Sequence, residues 1–290
     1  MKKKLVKNKD GLLSVNKKPS QQELKNLYKN LYYQKNLSKT YKKRYSHDEI
    51  KFNELNFRLF QLFFKRKHKS ILDIGTGEGY LLSFFIKQNY KCYGVDYSKH
   101  GMISQNPRLL KKIEFVNCDI IENNFFIGKT FDIIFLMNVA EHVPNFNILI
   151  KKIYKKLKKG GLLIIKVPNE YDIVHKKYLK NNNLKKEQLA IFNPLHHLNY
   201  FNKDSLKKSV LNNVDLKCLT MYSDFPIEIF ILNKFTNYYK NKSFGKNAHD
   251  LRVKITNLLA EHNQLDKILK YYQISLELGL GRDITAIFEK

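Results

Sequence analysis

The chain has 290 residues, 43% of them hydrophobic, and carries 53 Lys and Arg against 26 Asp and Glu, a formal net charge of +27. That is enough apolar material for one large core with a helical appendage, and no apolar run approaches the length of a membrane span. The start, MKKKLVKNKD, is charged with no apolar core behind it, so we expect a soluble cytoplasmic protein.

So strong a positive charge suits nucleic acid or an anionic membrane surface. Lysine is spread along the whole chain, however, and mixed with asparagine, as in KNNNLKK at 180–186, so we expect solvated lysine faces and no nucleic-acid partner. The densest basic run, Lys2 to Lys18, reads as a flexible extension. Cys92, Cys118 and Cys218 are far apart and lack metal-ligand spacing, which predicts buried structural thiols.

In chain order, His47 to Arg66 reads as an amphipathic helix leading into a strand at Ser70 to Ile74. After a glycine turn, Glu78 to Lys87 places Leu81, Phe84 and Phe85 on one helical face. Strands follow at Lys91 to Val95 and Lys112 to Asn117, and Phe131 to Met137 (FDIIFLM) has the continuous apolarity of a central strand buried on both faces. From Phe146 to Lys159, Ile150, Ile153, Tyr154 and Leu157 follow helical spacing, with Gly160 and Gly161 as the stop before a strand at Leu162 to Val167. A helix at Lys203 to Leu211 and strands near Leu216 to Met221 and Asp283 to Phe288 complete the alternation. Asp224 to Arg282 is too long for a connection and patterned as helix, with Leu251, Ile255, Leu258, Leu265, Ile268, Leu269 and Tyr272 on one stripe. We therefore divide a single domain into a basic extension (1–46), a ligand-binding core (47–223), a helical insertion capping the substrate (224–282) and a last strand (283–290).

Asp73, Gly75, Gly77 and Gly79 form a D-x-G-x-G-x-G run where a strand turns into a helix, so bare backbone can approach a ligand closely. A dinucleotide site is the first competitor. The acids Asp73 and Glu78 around the glycines suit a sulfonium amino acid better than a diphosphate. The run resembles motif I of class I S-adenosylmethionine (SAM) methyltransferases. Asp96 follows the next strand about twenty residues after the turn, the spacing for a carboxylate that accepts both ribose hydroxyls.

The resemblance implies a Rossmann-like, doubly wound α/β fold, with a mostly parallel seven-stranded sheet covered by helices on both faces, an N-terminal helical extension and a helical insertion before the last strand. It implies SAM contacts from Asp73, Gly75, Thr76, Gly77, Gly79, Tyr80, Asp96, Tyr97 and Asn138, with Asp119 on the adenine amino group and Ile120 as an apolar wall. In YKKRY, Tyr41, Arg44 and Tyr45 stand where related enzymes cap the SAM carboxylate; a basic, aromatic exposed segment is the equal alternative. MNVAEHVP at 137–144 resembles the EHV segment of small-molecule enzymes such as the ubiquinone-pathway O-methyltransferases. Those enzymes often carry an acid where Asn138 stands, so no metal site is expected here.

Methyl transfer from a sulfonium is an in-line displacement that needs alignment and, for a hydroxyl acceptor, a base. His142 and His197 are the candidate catalytic groups. Structural roles compete: His142 could bond a loop carbonyl, and adjacent histidines such as His196 and His197 usually point apart. VPNEYD, PLHHLNYF, DFPIEIF and the late G-x-G-R at 279–282 form a second resemblance, to bacterial methyltransferases associated with capsule and other surface polysaccharides. It implies that Asn169, Glu170, His196, His197, Asn199 and Tyr200 line the acceptor site, with Arg252 or Arg282 for an anionic group. The expected acceptor is a carbohydrate or nucleotide-linked sugar methylated on oxygen, with N-methylation of an amino metabolite as the alternative, then an RNA methyltransferase or a non-catalytic SAM-binding protein. A homodimer is the assembly allowed for.

Overall fold

In a computed structural model the described residues are 4–26, 45–189, 191–194 and 196–290. The chain opens with β1 (Leu5–Lys7), β2 (Leu13–Val15) and α1 (Gln21–Asn26). Next come α2 (His47–Gln61), β3 (Ser70–Ile74), α3 (Tyr80–Ile86), β4 (Lys91–Asp96), α4 (His100–Gln105) and β5 (Glu114–Asn117). They lead to β6 (Phe131–Met137), α5 (Phe146–Lys156), β7 (Leu157–Pro168), α6 (Ile173–Asn181) and β8 (Asn199–Tyr200). The chain closes with α7 (Lys203–Leu211), β9 (Lys217–Tyr222), α8 (Ser243–Glu261), α9 (Leu265–Glu277) and β10 (Asp283–Glu289).

Seven strands form one sheet in the order β5-β4-β3-β6-β7-β10-β9. Neighbours from β5 to β7 pair parallel, whereas β10 runs antiparallel between β7 and β9. Strand alternation sends Leu72, Ile74, Ile134, Leu136, Leu163 and Ile165 to one face, against α5 and α7. Ile71, Ile133, Phe135, Leu162 and Ile164 go to the other, against α2, α3 and α9. The strand order reverses between β3 and β6, which opens a crevice beyond their carboxyl ends, the place where such sheets bind ligands.

Three expectations are corrected. The glycine pair does not end a helix, because α5 stops at Lys156 and β7 runs through both glycines. Register with β6 jumps from Phe131↔Leu157 to Ile133↔Leu162, a bulge. Gly160 takes φ +71° there, and a Cβ on Gly161 would lie 2.8 Å from the Asp132 carbonyl oxygen.

The basic start is not a loose extension among the described residues. β1 and β2 form a hairpin that pairs with β8, and the hairpin's Leu12 and Val15 are buried.

On α8 the buried face is Ala248, Val253, Thr256, Asn257 and Ala260, leaving Leu251 and Leu258 exposed. The helix lies on α2, where small side chains permit close approach and Asn257 Nδ2 donates to the Asp48 carbonyl at 2.8 Å. Among the described residues no helix is long and apolar enough to cross a membrane.

Candidate functional site

The β3–α3 turn depends on glycine. Gly75, Gly77 and Gly79 all have positive φ, and a Cβ on Gly75 would meet Val139 Cγ2 at 2.3 Å. The turn is thereby pressed against the loop after β6, and both edge a cavity of about 850 Å³, within the range typical of small-molecule sites. Asp73, Gly75, Thr76, Gly77, Gly79, Tyr80, Asp96, Tyr97, Asp119, Ile120 and Asn138 all line it, so eleven of the expected cofactor residues converge. The twelfth, Arg44, lies outside the described residues, as does Tyr41. Tyr45 is described: its ring packs edge-on against Tyr80, with centroids 5.4 Å apart, and its hydroxyl donates to Glu78.

Each acid on the crevice is held differently. Asp73 is buried at the end of β3, and its Oδ1 has no hydrogen-bond partner. Burial, then the neighbouring Asp96, pushes its carboxyl well above the usual range. Asp96 accepts from the Gly77 amide at 2.8 Å and the Ser98 amide at 3.0 Å, so one carboxylate braces the glycine turn and its own loop. Burial still raises it, against those amide bonds. Asp119 Oδ1 accepts from the Ile121 amide at 2.8 Å, which fixes the turn after β5.

At the far end of the cavity stand Glu141, His142 and His197. His142 Nδ1 meets the His196 carbonyl at 2.6 Å, and His197 Nδ1 meets Glu170 Oε1 at 2.7 Å. The two imidazoles lie edge to face with centroids 5.0 Å apart. Burial, and then the neighbouring His197, push His142 down to about 4. Burial would lower His197 too, but Glu170 and Glu141 outweigh it and raise the imidazole. Glu141 is 1% exposed, its Oε2 has no hydrogen-bond partner, and burial lifts its carboxyl to about 8. One ligand atom from each of Glu141, His142 and His197 lies within 4.8 Å of the other two, a set that can exchange a proton or hold a metal ion. The third member of the set comes from the loop before β8 and not from position 138.

The expected acceptor residues divide. Glu170 orients His197 and lines a smaller adjoining cavity of about 430 Å³. The His196 carbonyl, not its ring, meets His142. Three others are not brought to the main cavity. Asn169 donates to the Gly281 carbonyl, Asn199 donates to the Ala140 and Val143 carbonyls, and the Tyr200 hydroxyl accepts from the Asn193 amide. These polar side chains are consumed in fastening loops. Arg252 and Arg282 are likewise committed, the first to Asp224 and Asp283, the second to Glu228 at 3.3 Å.

Sequence reasoning missed Glu141, Lys166 and Asp283 as cavity residues. Lys166 and Asp283 pair at 3.0 Å across β7 and β10, and the signal was a charge set in otherwise apolar strands, LLIIKVP and DITAIF.

Fold and crevice define a doubly wound α/β protein with an acid-lined ligand site at its switch point. A family profile described as a methyltransferase domain matches residues 45–220, and the chain belongs to that family. The chain is similar to (S)-coclaurine N-methyltransferase of Thalictrum flavum subsp. glaucum, 26% identical over 132 residues, 42% of this chain and 36% of that one. It is also similar to a ubiquinone biosynthesis O-methyltransferase of Coxiella burnetii (strain Dugway 5J108-111), 31% identical over 129 residues, 42% of this chain and 54% of that one. The chain spans well under two thirds of the length of these curated relatives. Among solved structures, the plantazolicin methyltransferase BpumL in complex with SAH shares the fold, with TM-score 0.55, 19% identity, and coverage of 92% of this chain and 95% of that one.

Proposed function

We propose that the chain is a SAM-dependent methyltransferase that methylates a hydroxyl of a small molecule, a sugar or sugar-derived metabolite destined for a surface glycan. The observation carrying the cofactor assignment is the Asp73 side chain, a buried carboxylate with an unsatisfied oxygen beside a turn that only glycine can make. A cationic amino acid group satisfies that oxygen, Asp96 accepts the ribose hydroxyls, and Asp119 with Ile120 frames the adenine. Bound SAM supplies an electrophilic methyl carbon. That carbon would pass to an acceptor oxygen held in line with it, and the electron pair of the broken carbon–sulfur bond would stay on sulfur.

His142, His197 and Glu141 stand at the end of the cavity where the acceptor must lose its proton, with Glu170 behind His197. They favour oxygen as the methylated atom, because a neutral amine needs no such assistance. The sugar class rests on the VPNEYD and PLHHLNYF motifs alone. N-methylation is the second reading, supported by the excess of acids at this end, which would hold an ammonium.

The test is twofold. Calorimetry with SAM and its demethylated product should show one site. A SAM-dependent screen of sugars, sugar phosphates, nucleotide-linked sugars and their amino counterparts, read by mass spectrometry, should then add one methylene unit to a hydroxyl compound. Absence of heat with either cofactor form refutes the assignment, and turnover confined to amines refutes the hydroxyl reading.

A further inference from the structure

Three polar side chains at the acceptor end are arranged in a way that proton exchange alone does not require. Glu141 is almost fully buried, and one of its oxygens meets no donor, a costly state for a carboxylate unless a cation completes it. Its other oxygen is 3.7 Å from His142 Nε2. Both imidazoles are anchored through Nδ1, His142 on a backbone carbonyl and His197 on Glu170, so in both it is Nε2 that faces the shared space. Anchoring the distal nitrogen on a carbonyl or carboxylate is how proteins fix the tautomer and direction of a metal-binding histidine. The donors come from rigid places: Glu141 and His142 lie in a short 3-10 turn after β6, and the Leu198 amide donates to the Glu141 carbonyl at 2.7 Å, tying the His197 loop to that turn.

We propose that Glu141, His142 and His197 form a binding site for one first-row transition-metal dication, with Glu170 as the positioning residue behind His197. Two imidazole nitrogens and one carboxylate are the donor set of zinc, manganese, cobalt or ferrous iron, and are a poor match for magnesium or calcium. Ligand atoms on one such ion stand ~3.3 Å apart, given bonds of ~2.0–2.2 Å, and the three candidate atoms already lie within 4.8 Å of one another. Three protein donors leave coordination positions open toward the cavity. The inference rests on the methyltransferase reading for its purpose: a dication there lowers the cost of deprotonating an acceptor hydroxyl. The site differs from one that needs an acid at position 138, because His197 supplies the third ligand from a distant segment.

The probe is Co²⁺, added to the full chain after chelator treatment. Visible ligand-field absorption and calorimetry should report one ion per chain. Glu141→Ala and His197→Ala should each weaken binding at least 100-fold. Glu170→Gln should weaken it about 10- to 100-fold, as loss of a partner behind a ligand does. Affinity for the demethylated cofactor should stay within threefold in all three. Should the alanine variants fold poorly, the wild-type protein decides: Co²⁺ should protect His142 and His197 from diethylpyrocarbonate, as mapped by mass spectrometry. No Co²⁺ binding, binding unchanged in Glu141→Ala and His197→Ala, or no protection of these histidines overturns the metal site. Cofactor heat in the same protein leaves the methyltransferase reading standing, and its absence removes that reading whatever the metal does.

Discussion

Gly75→Ala should be damaging for two separable reasons. The residue sits at φ +79°, where an L side chain costs ~1–2 kcal/mol, and its new Cβ would stand 2.3 Å from Val139 Cγ2, an overpacking cost of ~1–3 kcal/mol. Together these predict a loss of ~2–5 kcal/mol. Val139→Ala removes the opposing methyls and leaves the Val139 Cβ at 3.6 Å, an ordinary contact. Alone it should cost ~1–2 kcal/mol for two half-buried methyl groups at ~0.8 kcal/mol per buried carbon.

If the turn after β3 truly rests on the loop after β6, the double variant keeps only the backbone cost and the lost methyls. It should then be more stable than the sum of the singles predicts by ~1–3 kcal/mol. Urea denaturation of all four proteins measures this coupling. Additivity within about 0.5 kcal/mol would refute the apposition. Calorimetry with SAM should also show the affinity lost in Gly75→Ala and partly regained in the double variant, since the same approach shapes the cradle.

Asp96→Asn removes the charge from the carboxylate assigned to the ribose and should weaken cofactor binding by about 10- to 100-fold, the equivalent of ~1.5–3 kcal/mol for charge-assisted bonds. A change under threefold by calorimetry would place the ribose elsewhere. Arg252→Met strips the partner from the buried acids Asp224 and Asp283 and should cost ~3–5 kcal/mol in urea, and adding Asp224→Asn should recover part of it. Asp132 accepts from the Lys69 and Ser70 amides and the Ser70 hydroxyl. Burial alone would raise its carboxyl, but these donors and Lys158 outweigh it and hold it at about 2, below the ordinary 3.8. The stability it contributes is therefore present above pH 3.8 and lost as pH falls toward about 2. Asp132→Asn should flatten thermal stability across that window, and a profile parallel to wild type would contradict the assignment.

The alternation of apolar runs made the sheet legible, because a strand buried on both faces, such as Phe131–Met137, has no other reading once turns bound it. Glycine next to acids did the same for the cofactor edge. What misled was local grammar overridden by distant pairing. Gly160 and Gly161 look like a helix stop, yet the residue after β10 claims them, the Gly160 amide donating to the Lys290 carbonyl and the Lys290 amide to the Gly161 carbonyl. Lys2 to Lys18 looks loose because its strands are three residues long and gain order only from β8, nearly two hundred residues away. Asn169, Asn199 and Tyr200 carry the residue types of a sugar site, and only the fold shows that their polar atoms are spent on backbone. No pattern along the chain brings His197 beside Glu141, since that neighbourhood depends on the loop before β8 folding back over the end of β6.

The charge of +27 belongs to the surface, and the acceptor end has the opposite character. Arg252 and Arg282, which would greet an anionic acceptor, are already bonded to Asp224, Asp283 and Glu228, and Lys166 is paired with Asp283. The carboxyl oxygens that lack partners there are Glu141 Oε2 and Glu170 Oε2, while Arg252 Nε, which also lacks one, sits on a guanidinium already paired with Asp224 and Asp283. A diphosphate would have to break buried ion pairs and then face those carboxylates, a penalty of several kcal/mol. A hydroxyl, an ammonium or a metal ion would satisfy them. Inorganic pyrophosphate should therefore fail to compete with the acceptor at concentrations that saturate ordinary phosphate sites. Competitive inhibition by pyrophosphate, relieved in Arg282→Met, would show instead that the arginines exchange their carboxylates for substrate and that the acids are a resting-state clamp.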